Sequence, residues 1–127
     1  MRTDKNDLNK LSERIIGCAF VVANELGHGF LEKVYQNALL FELRCDGLHV
    51  EQQHGIVVKY RDQIIGEYIA DRVVENAVII ELKATKSIDP AQFAQCLNYL
   101  KATGLRLCLL INFGGARVEV KRVVLDL

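Results

Sequence analysis

The chain has 127 residues, half of them hydrophobic, which suits a single domain over residues 1–127 with one core. Its 16 basic and 16 acidic residues give a formal net charge of zero, so any surface that attracts nucleic acid has to be local. No apolar run approaches the roughly 18 residues of a membrane helix, and the first residues form no apolar signal segment, so we expect a cytoplasmic protein.

Two amphipathic helices are predicted first. Asp7 is a candidate cap for a helix whose apolar residues recur with the helical period over residues 8–26 and which ends at Gly27. A second apolar stripe predicts a helix over residues 31–45. Gly47 ends this helix, because glycine readily adopts the left-handed conformation of a helix end.

Three strands should follow as an antiparallel meander. From Val50 the hydrophobic period changes to that of a strand, and the turn at residues 61–62 predicts a hairpin. A second turn, at residues 75–76, leads into the apolar run 78–80 and folds Asp71 back towards Glu81.

A third helix has a complete start signal. Asp89 is a candidate cap, Pro90 occupies the first helical position and Gln92 can close a capping box. The helix should run to Thr103 and stop at Gly104, and two more strands are predicted over residues 105–111 and 118–125.

The order of these elements, ααβββαββ, predicts an α/β fold with a mixed β-sheet of about five strands flanked by helices. The third helix connects two strands as a crossover, so the strand after it should lie parallel to a strand in the same sheet.

The four cysteines, Cys18, Cys45, Cys96 and Cys108, are widely spaced in apolar or helical stretches. No two of them have the CxxC spacing that is typical of zinc and iron–sulfur sites. We expect buried, reduced cysteines without a metal or disulfide role.

A candidate site lies at the end of the third strand. Side chains alternate along a strand, so Glu81 and Lys83 share one face. Asp71, Glu81 and the Leu82 carbonyl are the oxygen ligands that Mg²⁺ prefers, and Lys83 could orient water or stabilise charge on a phosphate. The alternative is a surface ion pair at a strand end, because Glu-x-Lys is a short pattern.

The second and third predicted helices add candidate site residues. By spacing, Glu32 lies at the edge of the buried stripe of its helix, where it could be a further ligand or only an acidic residue favoured by the helix dipole. Gln92, Gln95 and Tyr99 form one stripe that could contact a ligand, although Gln92 could serve only the cap and the others could border the core. Lys86 and Ser87, with an exposed Arg72, could contact a phosphate.

These motifs together carry a family resemblance over nearly the whole chain. The run from Gly29 to Tyr35 matches the G-x-x-E-x-x-Y signature of a family of small prokaryotic proteins. Asp71, the run Glu81-Leu82-Lys83 and the pair Gln95 and Tyr99 are similar to the D, E-x-K and Q-x-x-x-Y pattern of RecB-like members of the PD-(D/E)XK nuclease superfamily. Ala70 stands where that pattern often has proline, and the cysteines do not match the iron–sulfur members.

The resemblance implies a restriction-endonuclease-like core and a single divalent-metal site. Asp71 and Glu81 would then be catalytic metal ligands, together with the Leu82 carbonyl, and Glu32 would be an auxiliary ligand. Lys83 would be the catalytic lysine. The substrate-binding group would comprise Gln95, Tyr99, Tyr35 and Lys86, with Tyr35 also supporting Glu32.

The function implied is hydrolysis of phosphodiester bonds in DNA, or less favourably RNA, with Mg²⁺ or Mn²⁺ as the cofactor. The alternative is a binding or assembly module that keeps the fold without turnover, which the zero net charge favours. A homodimer that builds a groove from two chains would also supply the missing basic surface.

Overall fold

Two tight turns organise the first three strands of the computed structural model, which describes residues 4–125. Arg61 and Asp62 have φ of 48° and 64°, and Glu75 and Asn76 have φ of 54° and 52°. Positive φ at both central residues is what a type I′ turn requires. The turns join β1 (Val50–Tyr60), β2 (Gln63–Val74) and β3 (Val78–Lys83) as antiparallel neighbours, which confirms the predicted meander.

The third helix and the last two strands complete the sheet. The Asp89 side chain accepts a hydrogen bond from the Gln92 amide at 2.9 Å, and the Gln92 side chain accepts one from the Asp89 amide at 3.1 Å. This capping box starts α3 (Pro90–Thr103), and the left-handed Gly104 ends it. β4 (Leu107–Asn112) then lies parallel to β3, and β5 (Glu119–Val124) is antiparallel to β4. The sheet is mixed and has five strands, as the sequence predicts, and the structure shows the strand order β1-β2-β3-β4-β5.

The two N-terminal helices are α1 (Lys5–Leu26) and α2 (Glu32–Cys45). The cap of α1 is Asp4, whose side chain accepts a hydrogen bond from the Asp7 amide at 2.8 Å. The prediction of Asp7 as the cap is therefore wrong by three residues, because Asp4 satisfies the free amide of the first turn. Gly47 has the predicted left-handed conformation after α2.

The helices cover the two faces of the sheet. α1 and α2 bury one face, with Tyr35, Leu39 and Leu82 in the same core cluster. α3 buries the other face, where Cys96 and Leu100 pack among Ile79, Cys108 and Leu110. Because successive strand residues point to opposite faces, Glu81 lies on the α3 face with Ile79.

Three of the four predicted buried cysteines, Cys18, Cys96 and Cys108, are buried. Cys45 is exposed, which corrects the prediction for that residue; it is the last residue of α2 and lies off the buried line that ends at Leu43. In the part of the chain that the structure describes, no helix is long and apolar enough to cross a membrane.

Hydrogen bonds hold the segment after β3 against the end of β4. The Asn112 side chain is fully buried, accepts a hydrogen bond from the Thr85 amide at 2.9 Å and donates one to the Thr85 carbonyl at 2.9 Å. The Asn112 side-chain oxygen also accepts a hydrogen bond from the Gly114 amide at 3.1 Å. The chain just beyond Lys83 therefore has a fixed path, and Gly114 lies directly against it.

Gly114→Ala should destabilise the fold, because a Cβ at this position would clash with backbone atoms of Ala84 and Thr85. Overpacking of this kind costs roughly 1–3 kcal/mol. The matched control is Gly115→Ala, whose Cβ would approach no atom closer than 3.4 Å. Urea denaturation of both variants tests the contact, and equal free energies of unfolding would contradict it.

Candidate active site

The candidate site forms where β2 and β3 stop pairing. The backbone ladder between them ends at the pair of Arg72 with Ile80, and the next two residues, Asp71 and Glu81, bring their side chains into the gap. Glu81 Oε1 accepts a hydrogen bond from the Asp71 amide at 3.4 Å, and Asp71 Oδ2 accepts one from the Leu82 amide at 3.2 Å. The two predicted carboxylates are thus brought together, each bonded to the backbone of the opposite strand.

The Leu82 carbonyl borders the same gap. The carbonyl of Lys83 accepts the Phe113 amide at 2.9 Å and so points towards β4. Carbonyls of successive strand residues point to opposite sides in the plane of the sheet, so that of Leu82 points towards β2. The Leu82 amide, which donates to Asp71, has the same direction. Two carboxylates and one carbonyl therefore converge from neighbouring strands.

Burial controls the charge of Glu81, whose side chain is 3% exposed. This burial, and next the charge of Asp71, raise the pKa of Glu81 to about 7, although the Asp71 amide and the charge of Lys83 act in the opposite direction. Desolvation and a like charge both disfavour a carboxylate, whereas a cation favours it. A positive ion bound between Asp71 and Glu81 would therefore stabilise the charged form of both carboxylates.

The structure does not bring Glu32 into the pair formed by Asp71 and Glu81. It is the first residue of α2, exposed, with its carboxylate accepting a hydrogen bond from Gln36 at 3.3 Å. The expectation that Glu32 lies at the edge of the buried stripe is wrong, because burial along this helix begins only with Tyr35. Its charge still contributes to the raised pKa of Glu81, as the weakest of the causes. Among residues 4–125, no three His, Cys, Asp or Glu side chains form a group that could hold a metal.

Tyr35 holds the loop that precedes Glu32. Its fully buried hydroxyl donates to the Gly27 carbonyl at 2.7 Å and accepts the Phe30 amide at 3.3 Å. Its ring stacks on Phe113 with centroids 4.8 Å apart. These contacts favour a positioning role for Tyr35, towards Glu32 and the end of β4, over direct contact with a substrate.

The α3 side of the site contains two of the predicted residues. Gln95 Nε2 donates a hydrogen bond to the Tyr99 hydroxyl at 2.8 Å. Burial, followed by the charges of Glu81 and Asp71, raises the pKa of Tyr99, so this hydroxyl stays protonated. Gln92 belongs to the capping box, which supports the structural alternative for that residue.

The basic residues near the site differ in exposure. Lys83 is partly buried, and Lys86 and Ser87 are exposed on the segment that follows. Arg72 is only 7% exposed and donates to the Asp71 carbonyl at 2.7 Å, so its predicted role as an exposed phosphate contact is wrong. It pairs with Ile80 inside the ladder, on the face opposite Asp71.

Sequence reasoning missed Asn112, which fixes the segment after Lys83. A usable signal exists, since Asn112 ends the apolar run of β4 as Glu81 ends the apolar run of β3. A polar residue at such a point has to find hydrogen-bond partners when it is buried.

Comparisons with known proteins place this geometry in context. A family model described as the PD-(D/E)XK nuclease superfamily matches residues 9–123. No curated protein matches the sequence.

Two solved structures are similar at 15% identity each. The protein in the crystal structure of SSO0001 has a TM-score of 0.60, with 76% of this chain and 51% of that one covered, so this chain spans about half its length. An alkaline exonuclease from Laribacter hongkongensis, LHK-Exo, has a TM-score of 0.55, with 99% of this chain and 73% of that one covered. At such low identity these similarities speak for the fold alone.

The raised pKa of Glu81 predicts a pH dependence for the metal-free protein. A carboxyl whose pKa rises on folding contributes stability below its unfolded value of about 4.5, and this stability is lost as the pH rises through about 7. The loss should reach roughly 3 kcal/mol for a shift of this size. Glu81→Gln should therefore remove this loss and be the more stable protein at pH 8.

Urea denaturation in EDTA at pH 5 and pH 8 measures this difference. Glu67→Gln, which changes an exposed glutamate of β2, is the control and should keep the wild-type profile. A Glu81→Gln variant with the wild-type pH profile would show that Glu81 does not titrate as described.

Proposed function

The chain belongs to the PD-(D/E)XK nuclease superfamily and has its restriction-endonuclease-like α/β fold, and from this premise we propose that it is a divalent-metal-dependent nuclease that hydrolyses phosphodiester bonds in DNA, with RNA as the less favoured substrate. The observation that carries the proposal is the pair Asp71 and Glu81 in the gap between β2 and β3. Lys83 follows on the same strand face.

The residues at the gap fit a hard cation. Asp71, Glu81 and the Leu82 carbonyl offer oxygen atoms, which Mg²⁺ and Mn²⁺ prefer, and burial together with the charge of Asp71 raises the pKa of Glu81 by more than the charge of Lys83 lowers it. Glu32 could complete the set as an auxiliary ligand if its carboxylate leaves Gln36. When bound, the ion supplies activation of water and neutralisation of phosphate charge.

The chain's own residues supply positioning and further charge. Lys83 lies close enough to lower the pKa of Glu81, so its ammonium group can also steady negative charge on a phosphate or hold a water by hydrogen bonding. Gln95 and Tyr99, bonded to each other beside the carboxylates, can orient the substrate or the lysine. Lys86 is exposed where a flanking phosphate could contact it.

The second candidate is a nucleic-acid-binding or assembly module without turnover. The zero net charge favours it, and so does the position of Glu32, which leaves two rather than three carboxylates together in the described part of the chain. A homodimer could build a nucleic-acid-binding groove from the surfaces of two chains, even though each chain has zero net charge. The two functions differ in whether the protein cleaves nucleic acid and, if it does, whether the cleavage depends on Lys83.

Lys83→Ala should reduce metal-dependent cleavage by at least about 100-fold, the size of effect seen when a charge-stabilising group is removed from an active site. The assay incubates labelled single-stranded, duplex and branched DNA with the protein, with and without Mn²⁺. Lys121→Ala, at an exposed residue of the edge strand β5, is the control. Equal cleavage by Lys83→Ala and wild type would reject the catalytic role, and no cleavage by wild type would favour the binding module.

Mg²⁺ or Mn²⁺ should raise the thermal stability of the wild type, because a ligand of the folded state alone stabilises it by about 2.7 kcal/mol at a concentration of 100 times its Kd. Asp71→Asn should lose most of this shift, since it removes a charged ligand. Glu13→Gln, at an exposed position of α1, should keep it. Thermal melts with EDTA or excess ion provide the measurement, and an equal shift in wild type and Asp71→Asn would exclude Asp71 as a ligand.

A further inference from the structure

A groove opens on the α3 side of the sheet, between the far part of the β1–β2 hairpin and the C-terminal half of α3. Its volume is about 630 Å³. Lys59 and Tyr68 line it from the hairpin, and Asn98 and Lys101 line it from the helix. We call it the hairpin groove.

The hairpin groove adjoins the candidate active site through two aromatic rings. The ring centroids of Tyr68 and Tyr99 lie 5.6 Å apart, and the Tyr99 hydroxyl, which is hydrogen-bonded to Gln95, is close enough to Glu81 for the carboxylate charge to raise its pKa. The groove therefore begins where the carboxylate site ends.

Spacing along α3 supports the same continuity. Gln95 and Asn98 are three residues apart and so lie on one side of the helix. Lys101 is six residues beyond Gln95, which corresponds to about 9 Å along the helix axis. A chain in the groove could thus contact Lys101 while its next units reach the two carboxylates.

The chemistry of the groove suits a phosphodiester backbone. Two lysines approach it from opposite walls, and none of the described residues that line it is acidic. Tyr68 is 41% exposed, so part of its ring is open to a further stacking partner. A basic groove with an exposed aromatic ring is the combination by which proteins hold single strands without reading their sequence.

We propose that the hairpin groove binds single-stranded nucleic acid and guides it to the gap between β2 and β3. Lys59 and Lys101 contact phosphates, and Tyr68 stacks on a base. A duplex is disfavoured because its bases already stack on one another, which leaves no base face free for Tyr68. The guiding step rests on the proposed nuclease function, whereas the binding step does not.

Binding is measured by fluorescence anisotropy of a labelled oligonucleotide of about 20 deoxythymidines, a length beyond the site size of a small binding domain. The wild type is tested in EDTA, and Lys83→Ala is tested with Mg²⁺, so that turnover does not interfere. Parallel arms use duplex DNA and an oligouridine. We expect the single strands to bind more tightly than the duplex, and the RNA to resemble the DNA strand, because backbone and stacking contacts dominate.

The double variant Lys59→Ala/Lys101→Ala should weaken binding by at least about tenfold and reduce the slope of log K against log salt by about 1.4, or 0.7 for each lost phosphate contact. The matched control Lys10→Ala/Lys121→Ala removes two exposed lysines of α1 and β5 and should leave both quantities unchanged. An unaltered Kd and salt slope in the groove variant would overturn the proposal.

A second pair of variants isolates the stacking contact. Tyr68→Ala should weaken binding by at least about fivefold, and Tyr68→Phe, which keeps the ring, should bind within about twofold of the wild type. Equal binding by Tyr68→Ala and Tyr68→Phe would contradict the stacking role, and tighter binding of the duplex would contradict the choice of a single strand.

Cleavage is scored separately, so that the two proposals can fail independently. A wild type that cleaves DNA while the groove variants bind normally would refute the groove and leave the nuclease function intact. A wild type that never cleaves while the groove variants lose binding would refute the nuclease function and support the groove.

Discussion

The site depends on one constraint, which is that β2 and β3 stop exchanging backbone hydrogen bonds one residue before Asp71 and Glu81 meet. Beyond that point the amides of Asp71 and Leu82 bond to the opposite carboxylates instead of to carbonyls. The two carboxylates thereby accept the amide hydrogen bonds that backbone carbonyls would accept if the pairing of β2 with β3 continued. Two like charges are held together at the edge of the core, where desolvation makes their repulsion stronger than it would be in water.

Most of the fold could be predicted from the sequence because its turns and caps use local chemistry. The two tight turns, the Asp89 capping box and Gly104 each act within a few residues, and the structure has all of them. The cap of α1 was harder, since Asp4 and Asp7 both suit the position and only the register of the first turn decides between them. A crossover helix after a meander also predicts that β4 lies parallel to a strand of the same sheet, and the structure shows that this strand is β3.

The prediction of the site was less complete, because its missing parts depend on contacts between distant segments. The motif places Asp71, Glu81 and Lys83 on neighbouring strands, but the burial of Arg72 and the clamp by Asn112 follow from packing that no short pattern contains. The hairpin shows the same limit. β2 pairs with β3 only over residues 72–74, so its first half pairs with β1 alone and extends beyond β3, where Ile65 and other apolar residues are exposed.

Net charge is a poor guide to what this site can bind, because the relevant charges are local and of both signs. Lys59 and Lys101 come from different elements and approach one groove, while Asp71 and Glu81 make the adjoining gap acidic. On the proposed function, the acidic gap would repel a phosphate until a divalent cation compensates it, whereas the lysines attract the strand independently of the ion. Metal and nucleic acid would then bind cooperatively at the gap, as two ligands of opposite charge that each reduce the repulsion opposing the other. A chain with zero net charge can meet these requirements, since short-range contacts determine the affinity and long-range attraction mainly affects the rate of association.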